Sequence, residues 1–208
     1  MWELIIKGGP IMILIILCSI TAFAVFLERM WYLRNAKIDT GKFMLDISNR
    51  VKSNKVMQAL DMCNATKGPI ARILKSGIMK YDRQRQDIKE AIEDAGIHEV
   101  PLLEKNLGVL ATIAHVAPLL GLLGTVVGML KAFQVIEGKA LSMVPVNPGD
   151  LAGGIWEALI TTVAGLSVAI PTYVAYNYLV SRVDNFVLDM EKSATELVNV
   201  LSEQRETV

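Results

Sequence analysis

Residues 107–130 read LGVLATIAHVAPLLGLLGTVVGML and contain no Asp, Glu, Lys or Arg. A helix rising 1.5 Å per residue needs about 20 apolar residues to cross ~30 Å of hydrocarbon, and buried helices of soluble proteins seldom run that far without a charge. On either side of this stretch lie two more runs of the same kind: residues 8–27, GGPIMILIILCSITAFAVFL, and residues 158–181, ALITTVAGLSVAIPTYVAYNYLVS. Three such runs predict an all-α integral membrane protein with three transmembrane helices. The composition agrees, since 52% hydrophobic residues with only 6% aromatics is unlike a soluble fold.

Charge position orients the chain. Near the membrane, the polar stretch after the first run carries Arg34, Lys37, Lys42, Arg50, Lys52, Lys89 and Lys105, and the tail adds Arg182 and Lys192; the opposite side offers Lys7, Lys131 and Lys139. The positive-inside rule then places the N-terminus outside and the C-terminus in the cytoplasm. The resulting division is an external N-terminus (1–9), a first span (10–33), a cytoplasmic helical loop (34–106), a second span (107–131), an external loop (132–152), a third span (153–181) and a cytoplasmic helix and tail (182–208). The first run reads as a retained anchor and not a signal peptide, because only Lys7 precedes it, no small-x-small cleavage site is evident, and Glu28, Arg29 and Arg34 follow directly.

The cytoplasmic segments read as helical. Ile70, Ile73, Leu74, Gly77, Ile78 and Tyr81 recur at three- and four-residue steps. After the third run, Val183, Phe186, Val187, Met190, Ala194, Leu197, Val198 and Leu201 make a heptad-like stripe with no Gly or Pro between them and the membrane, which predicts that span three continues as one rod. Ile88 to Leu107 also reads as helix, kinked or restarted at Pro101. By contrast, Pro145, Pro148 and Gly149 predict a turn-rich external connection. There is no internal repeat.

Several function classes drop out. A net charge of zero gives no support to nucleic acid as a partner. Cys18 and Cys63 lack metal-ligand spacing and read as free thiols, so neither a metal, a cofactor nor a disulfide framework is indicated. No nucleophile, base and orienter can be grouped, so no catalytic residues are assigned and the chain does not read as an enzyme. A permease subunit fits poorly, with neither a second set of spans nor a GxxxxGK[ST] signature.

The spans themselves hold small and polar residues. Span two places Gly121, Gly124, Thr125 and Gly128 at three- and four-residue intervals after Pro118, and span three holds Glu157, Thr161, Thr162, Gly165, Pro171, Thr172 and Asn177. Small residues at that spacing let backbones approach closely, and a threonine can simply bond back to its own helix. Glu157, near the outer end of span three, is either interfacial or functional. Thr162 lies five residues inward from it, roughly 7 Å, and Thr125 lies five residues before the outer end of span two, which predicts similar depths for the two hydroxyls. A proton path needs a group that changes charge, and a threonine cannot do so. His115 is the sole titratable candidate at mid-span; beside Pro118 it reads as a packing residue and is assigned no role in conduction. The spans therefore read as a polar sleeve into which a second protein inserts the titratable carboxylate.

Two blocks carry a resemblance: Ala117 to Phe133, APLLGLLGTVVGMLKAF, and Gly154 to Asn177, GIWEALITTVAGLSVAIPTYVAYN. They resemble the second- and third-span motifs of the ExbB/TolQ/MotA proton-channel family, most nearly its ExbB and TolQ members. The resemblance implies a pentameric ring with long cytoplasmic helical extensions in a bacterial inner membrane. Its second and third spans would surround a pore occupied by an ExbD/TolR-like single-span partner that carries a membrane Asp, and a TonB/TolA-like energy transducer would be coupled to it. By position in the motifs, Thr125 and Thr162 match the family's pore-lining threonines and Glu157 its polar glutamate at the external mouth. Gly121, Gly124, Gly128, Gly165, Pro118 and Pro171 fall to packing of the pore-forming spans. The implied function is conversion of proton motive force into mechanical work on envelope transport or maintenance proteins. The rival reading is a passive scaffold that holds partners and passes no ions.

Overall fold

The computed structural model of the chain describes residues 8–206, and the sequence expectations that fall on residues 1–7, the position of Lys7 among them, lie outside the described residues. The described residues form seven helices: α1 (Gly9–Ala36), α2 (Thr40–Lys52), α3 (Val56–Ala65), α4 (Pro69–Ile78), α5 (Arg85–Glu104), α6 (Leu107–Leu141) and α7 (Pro148–Glu206). Three of the helical segments are long and apolar enough to cross a membrane. The chain divides into two compact units, one made of the chain to Glu28 with Asn106–Tyr178, the other of Arg29–Lys105 with the chain from Leu179.

In the first unit, α1 turns Ile11, Met12, Ile15 and Ala22 inward and leaves Ile13, Leu14, Leu17, Ile20 and Phe23 exposed. The α6 helix buries its small residues, Ala114, Ala117, Gly121, Gly124, Gly128 and Ala132, and exposes Leu119, Leu122, Leu123, Val126, Met129 and Phe133. Such an inside-out distribution suits a helix bundle whose solvent is hydrocarbon. Both long helices outrun their apolar runs. Helix α6 continues to Leu141, where Met143 at φ +52° turns the chain, and α7 begins at Pro148. Proline is favoured at a first helical position because its missing N–H has no helical partner there. The turn-forming residues thus bound a connection of residues 142–147, shorter than the apolar pattern alone suggests, because helical hydrogen bonding continues through polar residues until a turn former stops it.

The second unit is built the other way round, with large side chains inside. Its core takes Phe43, Met44, Ile47 and Val51 from α2, Ala59 and Cys63 from α3, Ile70, Ile73, Leu74 and Ile78 from α4, and Ile88, Ile92 and Leu103 from α5. From α7 it takes Leu179, Val183, Phe186, Met190, Leu197 and Leu201. Tyr81 does not join this stripe: α4 ends at Ile78, the Met79 and Lys80 amides bond back to Lys75 and Gly77, and the phenol is exposed. Asp39 caps α2 by accepting a hydrogen bond from the Lys42 amide at 3.2 Å. Gly68 starts α4 at φ +133°, with the Ala36 carbonyl oxygen 3.0 Å from where a Cβ would stand, so glycine is required there. Pro101 is tolerated inside α5, which ends three residues later; Asn106 at φ +63° then separates it from α6.

A part-buried ion pair links two helices of this unit. Arg72 of α4 donates to both carboxylate oxygens of Glu99 of α5, each at 2.5 Å, and the bidentate bond raises the guanidinium pKa further above its ordinary value. Arg29, almost fully buried, donates to the Leu102 carbonyl at 3.2 Å and lies 4.8 Å over the Tyr32 ring. Burial pushes the Cys63 thiol up to about 11 against the opposing pull of Lys75, so it is a protonated core group.

Candidate functional site: the packed pair of spans

Helices α6 and α7 meet antiparallel through glycine. A Cβ on Gly121 would lie 3.0 Å from the Thr161 carbonyl oxygen, one on Gly128 would lie 2.5 Å from the Gly154 carbonyl oxygen, and one on Gly165 would lie 2.5 Å from the Ala117 carbonyl oxygen. Gly124 faces Thr161, whose side chain occupies the position a Cβ would take. Pro118 and Pro171 sit within α6 and α7, with Pro171 exposed.

This register sets the depth of the hydroxyls. Thr162 Oγ1 is 3.2 Å from the Gly121 carbonyl across the contact and 3.3 Å from its own helix's Ala158 carbonyl, and it donates between them. Thr125 lies four residues along α6 from Gly121, so the two threonines are about 6 Å apart along the axis. Thr125 Oγ1 donates back to the Leu122 carbonyl at 2.6 Å. With their protons engaged, both oxygens keep lone pairs free to accept a hydrogen bond from an entering acid.

The two threonines share a flank, and Glu157 does not. Five residues at about 100° each turn Glu157 roughly 140° around α7 from Thr162. On α6, six residues turn Lys131 roughly 120° from Thr125. In an antiparallel pair these rotations bring Thr125 and Thr162 to one side of the contact and Lys131 and Glu157 to the other. Contacts agree: Lys131 Nζ donates to both Glu157 oxygens, at 2.5 and 2.8 Å, while Thr162 reaches Gly121. Gly9, at the start of α1 with φ +65°, lies on the Glu157 side; a Cβ there would land on Glu157 Oε1. Glu157 therefore lies in the N-terminal part of α7 and faces α1 and Lys131.

His115 is exposed on α6. Its Nδ1 bonds the Ala111 carbonyl at 2.7 Å, so that nitrogen carries the hydrogen, and its ring meets Tyr173 edge-on with centroids 6.5 Å apart. Thr161 is wholly buried, donating to the Glu157 and Ala158 carbonyls at 3.0 and 2.9 Å. Sequence reading gave no site role to Thr161, Lys131 or Gly9. One signal was available for Lys131: it directly follows the second apolar run, as Glu157 directly precedes the third, so an antiparallel pairing of the two runs brings their ends together.

Residues 65–192 match the MotA/TolQ/ExbB proton channel family. The chain is 32% identical over 190 residues to an ExbB homologue of Methanothermobacter thermautotrophicus, covering 91% of this chain and 66% of that protein. It is 30% identical over 205 residues to the Tol-Pal system protein TolQ of Haemophilus influenzae, covering 93% of this chain and 88% of that one. To the biopolymer transport protein ExbB of Aquifex aeolicus it is 44% identical over 89 residues, 43% of this chain and 57% of that protein. The matched region takes in the glycine-packed parts of both helices, and the chain belongs to the MotA/TolQ/ExbB proton channel family, with a role in membrane energy transduction.

Proposed function

We propose that this chain is the ring-forming subunit of an inner-membrane proton channel and motor, and that Thr125 and Thr162 line its corridor. Copies of the chain, five by analogy with the family, surround the membrane helix of an ExbD/TolR-like partner whose Asp carries the proton. The N-terminus faces outward and α7 continues into the cytoplasm. The observation that carries this reading is the pair of hydroxyls on one flank of α6 and α7, at similar depth, in spans whose runs at residues 107–130 and 158–181 hold no Asp, Glu, Lys or Arg. Such a wall hydrogen-bonds a visiting carboxyl group without trapping it in an ion pair.

The mechanism follows from the energetics of charge in hydrocarbon. An ionised carboxylate at mid-membrane costs at least about 2.5–3.5 kcal/mol, so while charged the partner's Asp stays where the two hydroxyls can turn their protons from the helix carbonyls to it, and once protonated it donates to their lone pairs instead. A proton arriving from outside neutralises it, the neutral helix moves relative to the ring, and the proton leaves toward the cytoplasm. Each proton crossing 100 mV supplies about 2.3 kcal/mol, so a few protons per step can drive work on a TonB/TolA-like transducer and its envelope client. Glu157 stands at the outer end of the same helices.

Thr125→Ala and Thr162→Ala are each expected to lower proton flux about tenfold, equivalent to ~1.4 kcal/mol on the transfer step, in vesicles holding the chain with its partner. The amount of assembled complex should be unchanged. Normal flux in both variants would overturn the corridor assignment, and full client activity after dissipation of the proton gradient would favour a passive scaffold.

A further inference from the structure

The outer end of the first unit gathers three helices on one carboxylate. Lys131 of α6 bonds both oxygens of Glu157 of α7, and Gly9 of α1 closes over them, its Cβ position occupied by Oε1 and 3.7 Å from Lys131 Nζ. The Glu157 side chain is only 14% exposed, against 46% for Lys131. A carboxylate with both oxygens held by one ammonium, roofed by backbone and turned away from Thr125 and Thr162, is poorly placed to pass a proton to that flank. It is well placed to hold helices together, since the ammonium offsets the cost of burying the carboxylate and reaches it from a different helix.

We propose that Lys131 is a positioning residue whose ion pair with Glu157, roofed by Gly9, clasps the outer ends of α1, α6 and α7, so that Glu157 serves proton-driven work as half of this clasp and not as a proton carrier. The inference rests on the reading of α6 and α7 as corridor walls and adds to it the part that keeps those walls in register. Removing Lys131 strands the nearly buried Glu157 carboxylate, and removing Glu157 leaves the half-exposed ammonium without the acceptor that ties α6 to α7, whereas removing both charges leaves two neutral groups that can still bond each other.

The test is proton flux in vesicles holding the full chain with its single-span partner, alongside the yield of assembled complex. Lys131→Gln and Glu157→Gln should each cut flux about tenfold or more, the double variant should recover to within about threefold of the parent, and Lys131→Arg should match the parent. The reversal Lys131→Glu with Glu157→Lys should also recover. A double variant that assembles normally yet conducts no better than Glu157→Gln would overturn the proposal and make Glu157 a carrier. Failure of both paired variants to assemble while Lys131→Arg assembles would overturn it too, because a compensated clasp tolerates the exchange. The corridor is scored separately: loss of flux in the threonine variants beside an uncompensated double variant sinks the clasp alone, and normal flux in the threonine variants beside a compensated one sinks the corridor alone.

Discussion

The α6–α7 contact and the bundle of α2 to α5 bury opposite kinds of residue. In the first, Gly121, Gly124 and Gly128 face the neighbouring helix while Leu119 and Leu122 are 61% and 59% exposed; in the second, Leu74 and Ile47 are fully buried. The difference teaches what drives each to fold. Water expels large apolar side chains into the bundle, but hydrocarbon gives no such push, so the spans are held by close backbone approach and by polar links such as Thr162 to Gly121. Small residues in the spans act as the large residues do in the bundle.

The hardest test of that contrast is one substitution made in both regions. At Gly128 an added Cβ meets backbone, the Gly154 carbonyl oxygen at 2.5 Å and the Ala158 nitrogen at 2.9 Å, and backbone can yield only if the helices part. At Gly77 it meets side-chain atoms, Ile92 Cδ1 at 2.6 Å and Cγ1 at 2.7 Å and Leu197 Cδ2 at 3.1 Å, which can shift without parting the helices. Gly128→Ala should therefore destabilise by roughly 3 kcal/mol or more, and Gly77→Ala by about 1 kcal/mol, partly offset by alanine's better helix propensity. Thermal unfolding followed by helix content reads both; equal losses would break the comparison.

A second pair sharpens it with a smaller effect. Leu74→Ala opens a cavity in the bundle and should cost about 2–5 kcal/mol, whereas Leu122→Ala trims a side chain that is exposed in the single chain and should stay within about 0.5 kcal/mol. Denaturation in matched detergent compares them. A large loss at Leu122 would mean that this surface is covered by protein in the assembled state.

Much of this architecture was legible from residue order. Charge-free runs marked the helices that could span a membrane, and three- and four-residue spacing marked the α4 and α7 stripes, because both signals are properties of a single helix. Helix ends were less legible: α6 runs on to Leu141 through polar residues, since capping and turn chemistry, not hydropathy, stops a helix. At the site, the similar depth of Thr125 and Thr162 followed from counting residues. The pairing of Glu157 with Lys131 did not, because it depends on the rotation of two helices about their shared contact, and that rotation is set by which glycines face which backbone carbonyls.

The smallest expected effect lies where the first unit meets water, in the connection between α6 and α7. Lys139 Nζ contacts Asp150 Oδ2 at 2.5 Å, and the Asn147 amide donates to the same oxygen at 2.8 Å, tying the end of one helix to the start of the next. Asp150 is held below its ordinary value, first by the Lys139 bond and then by the Asn147 amide. A carboxylate whose folded pKa is depressed contributes its full stabilisation above the unfolded value, about 3.9, and loses it as pH falls through the folded one. Protection of the Asn147 amide, corrected for intrinsic exchange, should thus be flat from about pH 7 to 5 and fall in acid. Asp150→Asn should lower protection between about pH 5 and 7 and abolish the acid limb, and Lys139→Gln should move that limb toward ordinary carboxylate values. An acid limb that survives in Asp150→Asn would show that another group closes the connection, and that the water-facing end of this unit is held by something other than its own charges.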